Sequence, residues 1–348
     1  MSRMGSGTAG EGRREEGGGL LPYTSRASVI SRYPPDSEHR APNTAQYPPR
    51  TEQRPPNTAL VSWQTIGDLI RGIRMLLARA NVPNSPREAT DLIAAVLDVP
   101  RLWPALHHDQ HANPELVSRV LSSAERRASG APFAYAVGRA AFRHLTLEID
   151  DRVLIPRQET EILVEAVLTR GVLNGGLAID VGTGSGAIAL ALASEGRLDR
   201  VIGTDISAGA LAVARTNASR LASVLNAPIE FRHGAFFAPV ADLRARLIVS
   251  NPPYISSSEA GALPAGVRDW EPPVALFSGP DGMTATAEVI RGAARVLEPF
   301  GLLALEVDSR RAGLAAQIAT DTESYNDIAI LPDLSGRDRI LLATRTDR

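Results

Sequence analysis

One pattern limits this chain's fold more than any other: from about residue 159 onward, short apolar runs alternate with helical stretches. "LAIDV" (177–181), "RVIGTDI" (200–206), "IEFRH" (229–233), "RLIVSN" (246–251) and "LLALEV" (302–307) are the strand candidates. "AIALALASEG", "SAGALAVARTNASRL" and "TATAEVIRGAARVLEP" are helix candidates between them. Short apolar strands separated by helices predict a parallel sheet covered on both faces. Two last strands, "DIAILP" and "DRILLAT", are joined by the tight link "DLSGR". They predict an antiparallel hairpin at one edge of that sheet, so the fold class is α/β.

The chain of 348 residues is long enough for two domains and a sizeable core, and 44% hydrophobic residues suit a globular protein. A net charge of −2 gives no overall basic field to draw in nucleic acid. All 37 basic residues are arginine. The absence of cysteine excludes disulfides, Cys-ligated zinc, iron–sulfur clusters and thiol catalysis. No run is apolar and long enough to span a membrane, and the N-terminus lacks the apolar core of a signal peptide. The expected compartment is the cytoplasm.

Residues 1–60 are glycine-rich, then proline-rich, and "PNTA" occurs at 42–45 and 56–59. Such a segment buries too little apolar surface to offset its ordering entropy, so it is expected to be disordered, with the functional start near Val61. Residues 62–130 read as a small helical domain. Ile66, Leu69, Ile70, Ile73, Leu76 and Leu77 follow the helical period, Ser85 and Pro86 predict one helix start, and Asn113 and Pro114 another that Gly130 ends. His107, His108 and His111 cluster without a partner at ligand spacing, so a solvated loop is expected there and no metal. Residues 131–156 predict a connecting hairpin of "LTLEI" and "VLIP", and the remaining domain spans 157–346.

"AIDVGTGSGAIAL" sets Gly182, Gly184 and Gly186, with Thr183 and Ser185 between them, after a strand and before a helix. Glycines let the backbone turn tightly and approach a ligand closely, but this spacing also fits a dinucleotide fingerprint. Asp180 ends the strand, where a carboxylate suits a cationic amino group better than a pyrophosphate. Asp205 ends the next strand and can accept both hydroxyls of a ribose, for either cofactor.

The fourth strand decides between them. "LIVSNPPYIS" runs an apolar strand into Asn251, Pro252, Pro253 and Tyr254. Prolines end sheet pairing, and in open parallel sheets ligands bind beyond the carboxyl ends of the strands. Asn251 therefore shares a rim with Asp180, Gly182 and Asp205. A planar –NH2 group has two donors; the Asn251 side-chain oxygen can accept one and the Pro252 carbonyl the other. The prolines stiffen this pair, and Tyr254 offers a ring face to a flat amide or base. The chemistry that fits is methylation of a planar NH2 by S-adenosylmethionine.

On these residues the chain resembles the HemK/PrmC-type release factor glutamine methyltransferases over about 62–346. The carrying stretches are "GAPFAYAVGRAAFRHLTLEIDDRVLIPRQETEILVE", "DVGTGSGAIALALA", "TDISAGALAVARTNA", "NPPYI", "EPPVALFSGPDGM" and "DLSGRDR". The resemblance implies a class I, Rossmann-like methyltransferase fold with a seven-stranded sheet and an N-terminal helical domain that helps dock the substrate; separately, a monomer is expected. It implies methylation of N5 of the glutamine in the GGQ loop of class 1 peptide-chain release factors. By the same resemblance Gly182 to Gly186 and Asp205 bind S-adenosylmethionine, Phe236 flanks its adenine, and Asn251 to Tyr254 grip the substrate glutamine. Gln158 and Ala235 stand where the family usually has Pro and an acidic residue. The alternatives are an N6-adenine methyltransferase acting on DNA or RNA, which needs a basic groove, and a ribosomal-protein glutamine methyltransferase.

Overall fold

The structure, a computed structural model, describes residues 63–170 and 174–347. The disorder expected for residues 1–60 lies outside the described residues. The first described elements are helices: α1 (Ile66–Arg79), α2 (Ser85–Leu97), the single turn α3 (Trp103–Leu106), α4 (Pro114–Ala128) and the short α5 (Phe133–Val137). Thr65 and Asp68 cap α1 reciprocally, side chain to backbone in both directions. Asn113 caps α4 as expected, its side chain accepting from Leu116 N. The start of α2 differs: Ser85 is already helical, and the cap is Asn84 in the left-handed region at φ 52 with no side-chain cap bond. Ile66, Leu69, Ile73 and Leu77 of α1 pack on Leu92, Ile93 and Val96 of α2 and Val120 of α4 in one apolar cluster. His107 stacks on Trp103 with ring centroids 4.1 Å apart.

The connecting hairpin pairs different segments from those expected. It joins β1 (Arg139–Phe142) to β2 (Leu145–Glu148), antiparallel, while 153–156 form no strand. Its inward residues Phe142, Leu145 and Leu147 are buried in the sheet's core, which leaves Val153 to pack as loop and its carbonyl to accept the Tyr135 hydroxyl at 2.5 Å.

The rest alternates, except that β5 passes to β6 without an α-helix: α6 (Gln158–Thr169), β3 (Leu177–Val181), α7 (Ala187–Glu195), β4 (Arg200–Asp205), α8 (Ala208–Leu221), β5 (Ile229–His233), β6 (Ala245–Ser250), the single turns α9 (Ala265–Arg268) and α10 (Pro273–Leu276), α11 (Thr284–Val296), β7 (Leu297–Glu306), α12 (Ala312–Asp321), β8 (Tyr325–Pro332) and β9 (Asp338–Arg345). The seven strands run in the order β5-β4-β3-β6-β7-β9-β8. The first five are parallel, and the β8–β9 hairpin closes one edge antiparallel. Alternation along each strand sorts side chains between two cores. Ala178, Val201, Leu247 and Val249 face α6, α7 and α8; Ile179, Ile202, Ile248 and Leu303 face α11 and α12. Every residue of α7 from Ala187 to Ser194 is buried, so this helix lies under the hairpin and α6 as well as on the sheet. Among the described residues, no helix is long and apolar enough to cross a membrane.

Candidate active site

The strand order reverses between β3 and β6, so their connections leave in opposite directions and open a crevice at their carboxyl ends. Two chain exits meet there. After β3 comes the glycine loop; after β6 come Asn251 and the prolines. The Ser250 hydroxyl stitches the exits together by donating to the Val181 carbonyl at 2.6 Å.

The glycine loop is held through its backbone. Gly182, Gly184 and Gly186 have φ of 75°, 57° and 83°, a region that side chains oppose. The amides of Gly182 and Thr183 both donate to the Thr204 carbonyl, and Gly184 N donates to Asp205 Oδ2 at 2.9 Å. Ser207 N donates to the other Asp205 oxygen at 2.8 Å. Burial pushes the Asp205 carboxyl above its ordinary range, against the pull of those backbone amides. Buried Asn217 donates to the Ser185 carbonyl and also holds both backbone groups of Glu148, tying the loop to the hairpin.

A cavity of about 330 Å³ lies between the two exits. Gly182, Thr183, Gly184, Ser185, Asp205, Phe236, Asn251, Pro252 and Pro253 line it, so most of the residues singled out in the sequence come together. A side chain built at Gly182 or Gly184 would meet nothing within 4 Å, which leaves an open cradle beside the Asp205 carboxylate. Phe236 adds an aromatic wall. It sits in the left-handed region at φ 47°, and Thr204 Oγ1 donates to its carbonyl at 3.0 Å.

Three expected residues lie elsewhere. Asp180 is fully buried behind the loop and does not line the cavity. Its Oδ2 accepts the Thr183 hydroxyl at 2.6 Å and Ala189 N at 3.2 Å, so it braces the loop against the start of α7. Burial, partly offset by those bonds, pushes its carboxyl up to about 7. Gly186 packs inward, with a would-be Cβ 3.1 Å from Leu190. Tyr254 does not line the cavity either; its hydroxyl is 3.4 Å from Glu306 Oε1, so it supports the rim rather than offering a ring face.

Two residues beside Asn251 are absent from the sequence-based set. Asn251 Nδ2 donates to Thr160 Oγ1 at 3.0 Å, and Thr160 Oγ1 donates to Glu306 Oε2 at 2.6 Å. Burial raises the Glu306 carboxyl from its ordinary range, while the Thr160 bond and Arg339 act against the rise. The rule that selects Asp180 and Asp205 also finds Glu306: it is an acidic residue at the carboxyl end of a parallel strand. Thr160 stands in "PRQETE" between Glu159 and Glu161, which serve as the acidic first turn of α6. Arg157, just before α6, places Nη2 at 2.5 and 2.7 Å from the two oxygens of buried Glu271. That pair anchors the segment whose Pro272, Val274, Ala275 and Phe277 form another cavity wall. No cluster of three or more metal-ligating side chains occurs among the described residues.

A parallel sheet with a reversed hairpin, and a ligand crevice at its switch point, define a class I methyltransferase. Residues 158–263 match the methyltransferase small domain, and 68–138 match the PrmC N-terminal domain. The release factor glutamine methyltransferase of Moorella thermoacetica is 40% identical over 287 residues, covering 82% of this chain and 98% of its own. That of Cereibacter sphaeroides is 36% identical over 276 residues, covering 79% and 97%. A methyltransferase structure from Pyrococcus furiosus superposes with a TM-score of 0.44 at 17% identity, covering 66% of this chain and 97% of that one. The chain belongs to the release factor glutamine methyltransferase family.

Proposed function

We propose that this protein transfers a methyl group from S-adenosylmethionine to the side-chain amide nitrogen N5 of the GGQ glutamine in class 1 peptide-chain release factors. The observation that carries it is one cavity bounded on one side by the glycine loop and Asp205, and on the other by Asn251 to Pro253. The open cradle at Gly182 and Gly184 and the Asp205 carboxylate fit the cofactor. The backbone from Gly182 to Ser185 would hold it, Asp205 would accept from its ribose, and Phe236 would flank its adenine. When bound, S-adenosylmethionine supplies an activated methyl group.

The chain's own residues supply position and dipoles. Asn251 Oδ1 and the Pro252 carbonyl accept the two N–H groups of the substrate amide. They fix its plane and favour the positive charge that grows on nitrogen as the N–C bond forms. The extra proton on nitrogen becomes acidic as that bond forms, so no strong base is required beforehand. Residues 62–130 are assigned to docking the release factor, residues 157–346 to the chemistry, and the working unit is a monomer in the cytoplasm. Mass spectrometry of a purified release factor incubated with the protein and labelled cofactor tests this. The expected result is one added methyl group on the GGQ glutamine; label on another residue, or none, overturns it.

A further inference from the structure

A carboxamide has two faces, and only one serves the reaction proposed above. With Oδ1 towards the cavity, Asn251 accepts from a substrate NH2; turned by half a revolution, it presents its own donors to the substrate's donors. Nothing in the Asn251 backbone selects between these states. The hydrogen bonds behind it do. Thr160 Oγ1 lies 2.6 Å from Glu306 Oε2 and 3.0 Å from Asn251 Nδ2. A hydroxyl has one proton and the Glu306 carboxylate, when ionised, has none, so in that state the proton goes to Glu306. The Thr160 oxygen can then only accept from its other neighbour, and only the NH2 end of Asn251 can give. Thr160 is 5% exposed and Glu306 1%, so solvent is poorly placed to substitute for either partner.

We propose that Thr160 and Glu306 are positioning residues that lock the Asn251 carboxamide with its oxygen facing the cavity. The topology builds the lock from three elements. Thr160 comes from the first turn of α6, and Asn251 from the exit of β6. Ser250 pairs with Leu305 across β6 and β7, which carries Glu306 one step further, alongside Asn251. The second Glu306 oxygen faces the Tyr254 hydroxyl, so the same carboxylate also steadies the residue that ends the Asn-Pro-Pro-Tyr stretch. The inference rests on the reading of Asn251 as the acceptor for a substrate amide.

The test compares Thr160→Val, which keeps the shape and removes the hydroxyl, with Thr160→Ser, which keeps the hydroxyl. Thr160→Val should lower kcat on a release factor about 100-fold, the scale of losing one preorganised polar contact, while cofactor affinity stays within about twofold. Thr160→Ser should recover most of the rate. Glu306→Gln keeps the shape but can donate to Thr160 and so release the constraint; it should lower kcat likewise, and it covers failure of Thr160→Val to fold. A second readout needs no substrate: with isotopically labelled asparagine, the Asn251 side-chain amide protons should exchange slowly with solvent in the wild type and faster in Thr160→Val. Equal kcat in wild type and Thr160→Val, equal loss in both Thr160 variants, or unchanged amide exchange overturns the lock. A wild type inactive on release factors overturns the substrate reading instead, and the exchange measurement still judges the lock.

Discussion

The exits of β3 and β6 lie on neighbouring strands and face one cavity, yet they are made of different material. After β3 the chain works through its backbone: three left-handed glycines, amides tied to the Thr204 carbonyl, and a carboxylate reached within 21 residues. After β6 it depends, beside one backbone carbonyl, on the Asn251 side chain, whose support comes from afar: Thr160 is 91 residues from Asn251, and Glu306 is 146 from Thr160. A site made of backbone is encoded where it stands. A site made of side chains is encoded wherever the fold brings its partners. The two exits should therefore fail in different ways when altered.

The largest effect is expected at the side-chain exit. Asn251→Ala removes the proposed amide acceptor and should lower kcat by about 1,000-fold, comparable with deleting a preorganised group at a reacting centre. Cofactor affinity, assigned above mainly to the other exit, should stay within about threefold. Turnover of a release factor and calorimetric titration with S-adenosylmethionine measure the two quantities. A near wild-type rate would remove Asn251 from the chemistry, and a parallel collapse of affinity would erase the contrast between the exits.

That division also sets what could be read in advance. The sheet strands were legible because apolar runs and helical periods are local, and the glycine loop because positive φ demands a residue type. The β8–β9 hairpin announced itself through "DLSGR", whose Gly336 takes φ 79°. The β1–β2 hairpin did not: Arg139 to Ala141 carry no strong strand signal, while "VLIP" carries one and is spent in a packed loop. Asp180 was legible as important but not as buried. A carboxylate ending a strand points at the ligand or behind it, and only the packing of α7 decides. Thr160 is a plain helix residue until the fold sets it 3.0 Å from Asn251.

Asp180 offers the next largest effect, on stability. Burial lifts its folded carboxyl to about 7, above the ordinary value near 4 that it takes when unfolded. The folded state thus holds a proton that the unfolded state releases. The stabilisation from the neutral form is complete below about pH 4, declines as pH rises, and is gone above about pH 7. The unfolding free energy of the cofactor-free protein, from denaturant titration, should fall between pH 5 and pH 8 by up to about 3 kcal/mol more than that of Asp180→Asn. Parallel pH curves for the two proteins would show that the brace behind the loop stays ionised throughout.

Asp205→Ala should act on the backbone exit alone. It removes the proposed ribose acceptor together with the partner of Gly184 N and Ser207 N. Hydrogen bonds to a charged group contribute roughly 1.5 to 3 kcal/mol, so the cofactor dissociation constant should rise about 10- to 100-fold. With cofactor saturating, kcat should fall far less than in Asn251→Ala. An unchanged dissociation constant would take the ribose assignment away.

The smallest effect separates two glycines that the sequence presents as equals. Both Gly182 and Gly186 have left-handed φ, at 75° and 83°, so alanine at either costs about 1 kcal/mol in backbone strain. Their surroundings differ. A Cβ at Gly182 meets nothing within 4 Å, whereas one at Gly186 would sit 3.1 Å from Leu190, 3.3 Å from Ala214 and 3.4 Å from Phe231. Gly186→Ala should therefore lose the strain term plus overpacking, and melt several degrees below Gly182→Ala. Affinity should run the other way. The empty space at Gly182 belongs to the cavity, so a methyl group there competes with the cofactor and weakens its binding, while Gly186→Ala leaves the cradle open. Melting temperatures with and without S-adenosylmethionine read both terms on the same samples. The shift on adding cofactor should be smaller for Gly182→Ala than for Gly186→Ala, and the reverse order would mean that the open cradle is not where the cofactor lies.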